Sequence, residues 1–380
     1  MADSFKIEVK DLDLLGALRA FLKSILDREE IKAVLTPLRL PMKNVVMPTL
    51  VTNRELLDSA DPLAPSFPLN AAKLVSKLTR RELGGKVAAV LRPCEIRAFI
   101  ELVKLKQGAM DEVVLVGFDC LGVYRNVDYA SIASEGGDDD STKRFYESVL
   151  SGDSSGRNGM ELASACRVCE HMIPDGADVL LGLYGLDVGN GIWVKAQSPS
   201  GQELLSGLDL APAEEPPGRG QAVAALKKKR EDKRDEMFAA THEATDSLEK
   251  LTAYLADCVN CYNCRVACPV CYCRECVFTT DVFEHEPFQY LRWADRKGAV
   301  KMPTDTVFYH LTRLAHISTA CVGCGQCSNA CPNDIPIMEI FRTVAHKTQA
   351  SFDYEAGQSL DQLPPLSVFR EDEFFEVVDH

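Results

Sequence analysis

The sequence has no apolar stretch long enough to span a membrane, which takes roughly 20 residues. Its opening, Met1-Ala-Asp-Ser-Phe-Lys, has no signal-peptide pattern. Positive charge is in deficit. Lys and Arg number 42 against 56 Asp and Glu, a net charge of -14, which disfavours nucleic acid and anionic membranes as partners. No P-loop is present, and no G-x-G-x-x-G follows a strand-like run, so the standard nucleotide fingerprints are missing. The 7 histidines are scattered without a pattern. They support no Ser/His/Asp centre, and His285 and His316 read as structural residues. With 380 residues, 46% of them hydrophobic, two or three domains with a real core are expected.

Cysteine is the abundant residue, with 15 in the chain. Cys258, Cys261, Cys264 and Cys268 precede Pro269. Cys321, Cys324, Cys327 and Cys331 precede Pro332. Both runs read C-x2-C-x2-C-x3-C-P, the bacterial ferredoxin spacing for a [4Fe–4S] cluster. The two-residue gaps let the chain curl round a cluster, and the proline turns it away. A zinc ribbon is the alternative, but zinc sites use CxxC pairs rather than a four-cysteine run closed by proline. In two-cluster ferredoxins the fourth cysteine of each run binds the other cluster. That wiring gives one set of Cys258, Cys261, Cys264 and Cys331, and a second of Cys321, Cys324, Cys327 and Cys268. The alternative is that each run closes its own cluster. Metal-type cysteine groups with no leader point to a reducing, cytoplasmic compartment.

Along the chain, residues 12–26 and 70–78 have helical spacing, and 44–51 is β-rich. Residues 87–91 and 112–118 are buried-strand runs joined by an apolar helix at 96–105. This is a βαβ unit, so an open α/β sheet with parallel strands is expected. Cys94 and Cys120 fall just past the carboxyl ends of their strands, where such sheets bind ligands. Residues 134–160 read as exposed loop round a short helix. Cys166 and Cys169 precede strands at 178–182 and 191–196. Residues 203–219 read as linker, and 221–254 as one long helix. Its Lys227-Lys228-Lys229-Arg230 run reads as a solvated face, with a docking patch as the alternative. Helices at 285–296 and 305–316 separate the two ferredoxin runs. The acidic tail after Ala345 reads as loop. Its Phe369, Phe374 and Phe375 imply packing on the chain itself or on a partner.

Cys271, Cys273 and Cys276 crowd the stretch behind the first run. They could supply three ligands of a further cluster, substitute in the wiring above, or hold zinc or be structural.

Three elements of the α/β half resemble one family. Gly85-Lys86-Val87-Ala88-Ala89-Val90-Leu91-Arg92-Pro93-Cys94-Glu95-Ile96-Arg97-Ala98 resembles its strand–turn–helix ending T-P-C-Q-I-x-A. Val114-Leu115-Val116-Gly117-Phe118-Asp119-Cys120-Leu121-Gly122-Val123 resembles its strand followed by C-x-G-V. Cys166-Arg167-Val168-Cys169, followed by Ala177-Asp178-Val179-Leu180-Leu181-Gly182, resembles its C-x-x-C … A-D-I-x-x-G-D element. The family is the beta subunit of coenzyme F420-reducing hydrogenase and F420-dependent formate dehydrogenase. The resemblance implies an FAD-binding α/β half whose recurring cysteines, here Cys94, Cys120, Cys166 and Cys169, hold a third [4Fe–4S] cluster. Two departures are Arg92 in place of Thr and Leu183 in place of Asp. They open NADH, NADPH or a protein donor as alternatives to F420. The ferredoxin runs also follow the α/β half, where the family often has them first.

The expected organisation is a flavin and [4Fe–4S] domain over 1–202, a linker and long helix over 203–255, a mainly α, ferredoxin-type dicluster domain over 256–345, and an acidic tail over 346–380. The expected function is that of an iron–sulfur flavoprotein subunit of an oxidoreductase complex. A flavin converts between two-electron hydride carriers and one-electron clusters. Electrons would pass between F420 or NAD(P)H and a partner catalytic subunit. Lys86, Arg92 and Arg97 are candidate cofactor-binding cations, with ordinary salt bridges as the alternative. A flavin-free relay subunit is the rival reading, and a zinc-rich scaffold a third.

Overall fold

The structure is a computed structural model and describes residues 3–41, 45–133, 138–152, 160–280, 286–297 and 305–367. His285 and the tail phenylalanines Phe369, Phe374 and Phe375 lie outside the described residues. Eight strands form one sheet: β1 Ser4–Glu8, β2 Ile31–Leu40, β3 Val45–Val51, β4 Lys86–Leu91, β5 Val113–Phe118, β6 Val179–Gly182, β7 Gly191–Ala196 and β8 Ala211–Pro212. Their order is β3-β2-β4-β5-β6-β7-β1-β8. β2, β4, β5 and β6 pair in parallel, and antiparallel strands close both sides. The Val, Ala and Leu runs of β4 and β5 are buried along nearly their whole length, as parallel strands covered on both faces should be. The expected open α/β sheet is therefore present.

The helices of this half are α1 Leu14–Leu26, α2 Ala72–Leu78, α3 Pro93–Lys104, α4 Asn126–Ala133, α5 Asp138–Leu150, α6 Ser164–Arg167 and α7 Pro199–Ser206. Beyond them come α8 Arg219–Thr245, α9 Leu248–Tyr254, α10 Asn263–Ala267, α11 Pro287–Lys297, α12 Asp305–Ile317, α13 Gln326–Asn329 and α14 Ile337–Ser351. None of the described helices is long and apolar enough to cross a membrane.

The structure departs from the sequence expectations in five places. α3 begins at Pro93, where the missing N–H costs nothing. The Glu95 carboxylate accepts from the Arg92 N–H at 2.9 Å, and Cys94 thus sits in the first helical turn. The short helix expected within the loop at 134–160 is a full one over Asp138–Leu150, packed rather than exposed. Phe145 and Tyr146 are buried, and the Thr142 hydroxyl donates to buried Asp61 at 2.7 Å. Much of the supposed linker is ordered. Ser198 caps α7, Leu204 and Leu205 are buried, and Pro212 lies on an edge strand, where a missing donor is tolerated. The long helix breaks after Thr245, because Ser247 accepts from the Lys250 N–H and starts α9. α14 runs past Ala345 to Ser351. The chain beyond it is pinned to α3, where Glu101 accepts from the Tyr354 hydroxyl at 2.6 Å and the Gly357 N–H at 3.0 Å.

Two apolar cores flank the sheet. One packs α1 and the Phe145 side of α5 against Val34, Ala88 and Val114. The other packs Leu35, Val87 and Ala89, with α2 and α3, directly against Val270, Ile317, Val322, Ile335 and Phe341. The cysteine-rich half thus shares a core with the sheet. Hydrogen bonds lock the join: Gln326 and Asn329 both donate to the Phe67 carbonyl, at 2.8 and 3.1 Å.

A buried carboxylate organises the carboxyl edge of the sheet. Asp119, fully buried after β5, accepts from the Leu183 and Tyr184 N–H groups at 2.8 and 3.0 Å. It also takes a two-pronged contact from Arg219, the first residue of α8, whose guanidinium lies over Trp193. Removing one partner of such a pair costs about 3–5 kcal/mol. Asp119→Ala is expected to lower stability by about that much, and Asp119→Leu with Arg219→Met to recover most of it. Urea denaturation followed by far-ultraviolet circular dichroism measures both.

Candidate metal centres and cofactor cleft

The two ferredoxin runs fold alike. Asn260 and Tyr262 take the left-handed region in the first run, with φ of 51° and 59°. Gly323 and Gly325 take it at the corresponding places in the second, with φ of 68° and 76°. These residues curl the chain so that successive thiols face one point. Glycine is needed in the second run for a further reason: a Cβ at Gly325 would stand 2.4 Å from that of Ala165. The second run thereby abuts α6.

The fourth cysteine of each run turns away from its own three. Cys258, Cys261 and Cys264 line one cavity together with Cys331. Cys321, Cys324 and Cys327 line another together with Cys268. Each cavity therefore offers four thiols, the soft donor set that iron–sulfur clusters take, and among the described residues Asp257 is the one carboxylate that lines either of them. Among the described residues no three His, Cys, Asp or Glu side chains converge on a single-ion position.

The α/β half gathers Cys94, Cys120, Cys166 and Cys169. Burial pushes the Cys94, Cys120 and Cys166 thiols up, Cys166 to about 12. Their mutual fields add to this: Cys120 and Cys169 act on both Cys94 and Cys166. The strongest charge acting on Cys94 is Cys324 of the second run, so this quartet adjoins the second cavity. Tyr184 donates to the Cys120 carbonyl at 2.7 Å.

Sequence reading missed Arg230, assigned there to a solvated run. It is buried, its Nη1 donates to the Cys169 carbonyl at 3.4 Å, and no ion pair to it occurs among the described residues. Burial opposes its charge, but Tyr184, Cys169, Cys120 and Cys166 more than offset this and raise its pKa. The helical period of α8, read from its ends, could have shown that Arg230 and Lys228 face opposite ways. Arg313, Tyr309 and His310 of α12 were missed too, and all three touch cysteine sulfurs.

The three candidate cations separate. Arg92 lies near the quartet, but it is buried over Phe67 and Phe118 and donates to the Ala64 and Ser66 carbonyls at 2.9 and 3.0 Å. Arg97 binds Glu355 and the Ala356 carbonyl. It lines a second, salt-bridged cleft of about 270 Å³ that also reaches Cys321. Lys86 stands at the far end of β4 from Cys94 and pairs with Glu203 at 2.8 Å. The remaining cysteines are spread. Cys271 is half-buried beside Cys268, with its thiol pushed up to about 11 by burial and then by Cys268. Cys273 is exposed, and Cys276 packs with Tyr262, Phe278 and Tyr309.

A cleft of about 340 Å³ opens between residues 123–128 at the entry to α4, the stretch 161–167 and the second run, within the size range of small-molecule sites, roughly 300–1,000 Å³. Its wall includes Cys166, Cys324 and Cys331. Arg125 and Arg167 stand in it, paired with Asp128 and Asp334 and with Glu161 respectively. Neither departure from the family pattern reaches it. Leu183 is fully buried, and Arg92 is bound as described.

The family described as 4Fe-4S dicluster domain matches residues 254–335. The beta subunit of F420-dependent formate dehydrogenase from Methanocaldococcus jannaschii is 30% identical over 376 residues, covering 92% of this chain and 93% of its own. The beta subunit of F420-dependent formate dehydrogenase 1 from Methanococcus maripaludis is 27% identical, with 92% of each chain covered. A chain of the F420-reducing [NiFe] hydrogenase complex from Methanosarcina barkeri aligns at 17% identity and a TM-score of 0.47, over 65% of this chain and 93% of that one. Built on a mixed sheet with a 4Fe-4S dicluster domain behind it, this chain belongs to the family of F420-dependent formate dehydrogenase beta subunits, iron–sulfur subunits of oxidoreductases.

Proposed function

We propose that this subunit binds a flavin in the cleft beside Cys166 and exchanges electrons between a soluble hydride carrier and a partner catalytic subunit. One observation carries the reading: the cleft wall takes one cysteine from each of the three groups, Cys166, Cys324 and Cys331. A bound flavin exchanges two electrons with a hydride carrier and single electrons with iron–sulfur clusters. The chain's own part is to hold these groups side by side and keep them dry.

The ligand sets that fit are Cys258, Cys261, Cys264 and Cys331; Cys268, Cys321, Cys324 and Cys327; and Cys94, Cys120, Cys166 and Cys169. Their cavities and mutual fields support this grouping. Arg230 supplies a buried cation to the third set. Arg125 and Arg167 offer charge to a flavin's phosphates. The names of both relatives support F420 as the carrier, and the cleft lining leaves that reading intact because Arg92 and Leu183 stay out of it. The exposed Cys261 marks the end of the row from which a partner subunit would draw or supply electrons.

The wiring predicts non-additive iron loss. Cys258→Ser and Cys331→Ser each remove about four irons per chain, and the double variant removes no more than either alone. Cys258→Ser with Cys268→Ser removes about eight, because two clusters are lost. Iron and sulfide assays on anaerobically purified protein decide, and equal loss in both double variants rejects the crossed sets.

The cleft assignment predicts that Arg125→Glu with Arg167→Glu weakens flavin binding about tenfold or more, as loss of charged hydrogen bonds does, with iron content unchanged. Flavin fluorescence titration of the deflavinated chain reads this. A wild-type chain that carries its full iron yet neither retains nor rebinds flavin is a relay subunit instead.

A further inference from the structure

Helix α12 belongs to the insertion between the two ferredoxin runs, and its buried face is built for the cysteines. Tyr309 Oη lies 3.4 Å from Cys264 Sγ, and His310 Nε2 lies 3.4 Å from Cys258 Sγ. One turn on, Arg313 Nη1 donates to Cys264 Sγ at 3.1 Å and Nη2 donates to the Cys264 carbonyl at 3.1 Å. Three successive side-chain contacts thus fall on the thiols of the first set. A sulfur that ligates iron carries no proton, so the Tyr309 hydroxyl must then be the donor in its contact.

Arg313 is 4% exposed, and among the described residues no carboxylate pairs with it. Its guanidinium lies between the rings of Phe341, at 4.7 Å, and Tyr309, at 5.5 Å. A buried cation with no counter-charge is strongly destabilising. Among the described residues the groups in reach that can become anionic are Tyr309 and cysteine thiols, and the thiols belong to both sets. Arg313 touches Cys264 of the first, lines the cavity of the second, and acts electrostatically on Cys268 and Cys327. The guanidinium therefore stands between the two cluster positions.

On the ligand sets proposed above, we infer that Arg313 is the fixed counter-charge of the dicluster domain and raises the reduction potential of both clusters, while Tyr309 raises that of the first alone. The physical basis is direct. Reduction adds one negative charge to a cluster, and a nearby buried cation or a hydrogen bond to a ligand sulfur stabilises the added charge. Arginine suits the place because its planar fork reaches a sulfur and a carbonyl at once while stacking on two rings. Arg313 acts through the cysteines and is a positioning and tuning residue.

The test is a redox titration of the full chain, loaded anaerobically and followed by electron paramagnetic resonance. Cys261→Ser, which keeps the second set, assigns the signals. Arg313→Gln is expected to lower both midpoints. The first cluster's reduction equilibrium should shift at least tenfold, about 59 mV for a one-electron couple, and the second should shift less in the same direction. Tyr309→Phe is expected to move the first cluster only. An Arg313→Gln chain with full iron and unchanged midpoints overturns the assignment. If that variant loses its iron, Arg313→Lys decides. Keeping the charge without the fork, it must spare the second midpoint and leave the first at or below its wild-type value; a fall in the second as large as in the first overturns the assignment. A wild-type chain with fewer than two reducible clusters in this domain refutes the ligand sets rather than the role of Arg313.

Discussion

The arrangement hangs on Asp119. This carboxylate sits fully buried at the carboxyl end of β5, where ionised oxygens are tolerated only if every lone pair finds a donor. It finds them in the turn after β6 and in Arg219. That contact sets where α8 begins. The helix then delivers Arg230 to Cys169, and further along Arg234 to Glu170. Glu170 in turn receives Arg342 from α14. Burial alone would raise the Glu170 carboxyl, but His171 and Arg342 hold it far below its usual range. One buried carboxylate thus orients the helix that ties sheet, cysteine quartet and dicluster domain together.

Charge balance is the second constraint. Desolvation pushes up the thiols of Cys94, Cys120, Cys166, Cys268, Cys321, Cys324 and Cys327 and keeps them neutral. Ligation to iron would remove those protons outright. The thiolates so formed would lie against buried arginines that pair with no carboxylate among the described residues, Arg230 in one half and Arg313 in the other. On the proposed ligand sets, metal loading and folding would therefore be coupled. His310, held down to about 4 by burial and by Arg313, stays neutral and adds no competing charge.

The common core explains why the chain does not divide cleanly at its linker. Val270, Val322 and Phe341 pack against the same face of the sheet as α2 and α3. The stretch after α14 returns to α3, where a Cβ at Gly357 would meet the Arg97 carbonyl at 2.1 Å. The positive φ of Gly357, 72°, and its close approach make glycine necessary there. A quantity that composition suggests, the looseness of a Pro- and Gly-rich segment, is overridden wherever its few apolar residues find a core.

Local chemistry was legible in the sequence, because spacing alone constrains it. The spacing C-x2-C-x2-C-x3-C-P marks a [4Fe–4S] run, and apolar runs such as 87–91 read as buried strands. Pro93 and Glu95 marked a helix start that was read three residues late. What only the tertiary structure decided depends on residues remote in the chain meeting. Cys94 adjoins Cys324, and Arg230 leaves a run of solvated lysines to reach Cys169. Lys86 and Arg97, both near Cys94 in sequence, are carried elsewhere, one by the length of a strand and one by the turn of a helix. Periodicity gives each side chain a direction, but only the packed neighbours give that direction a destination.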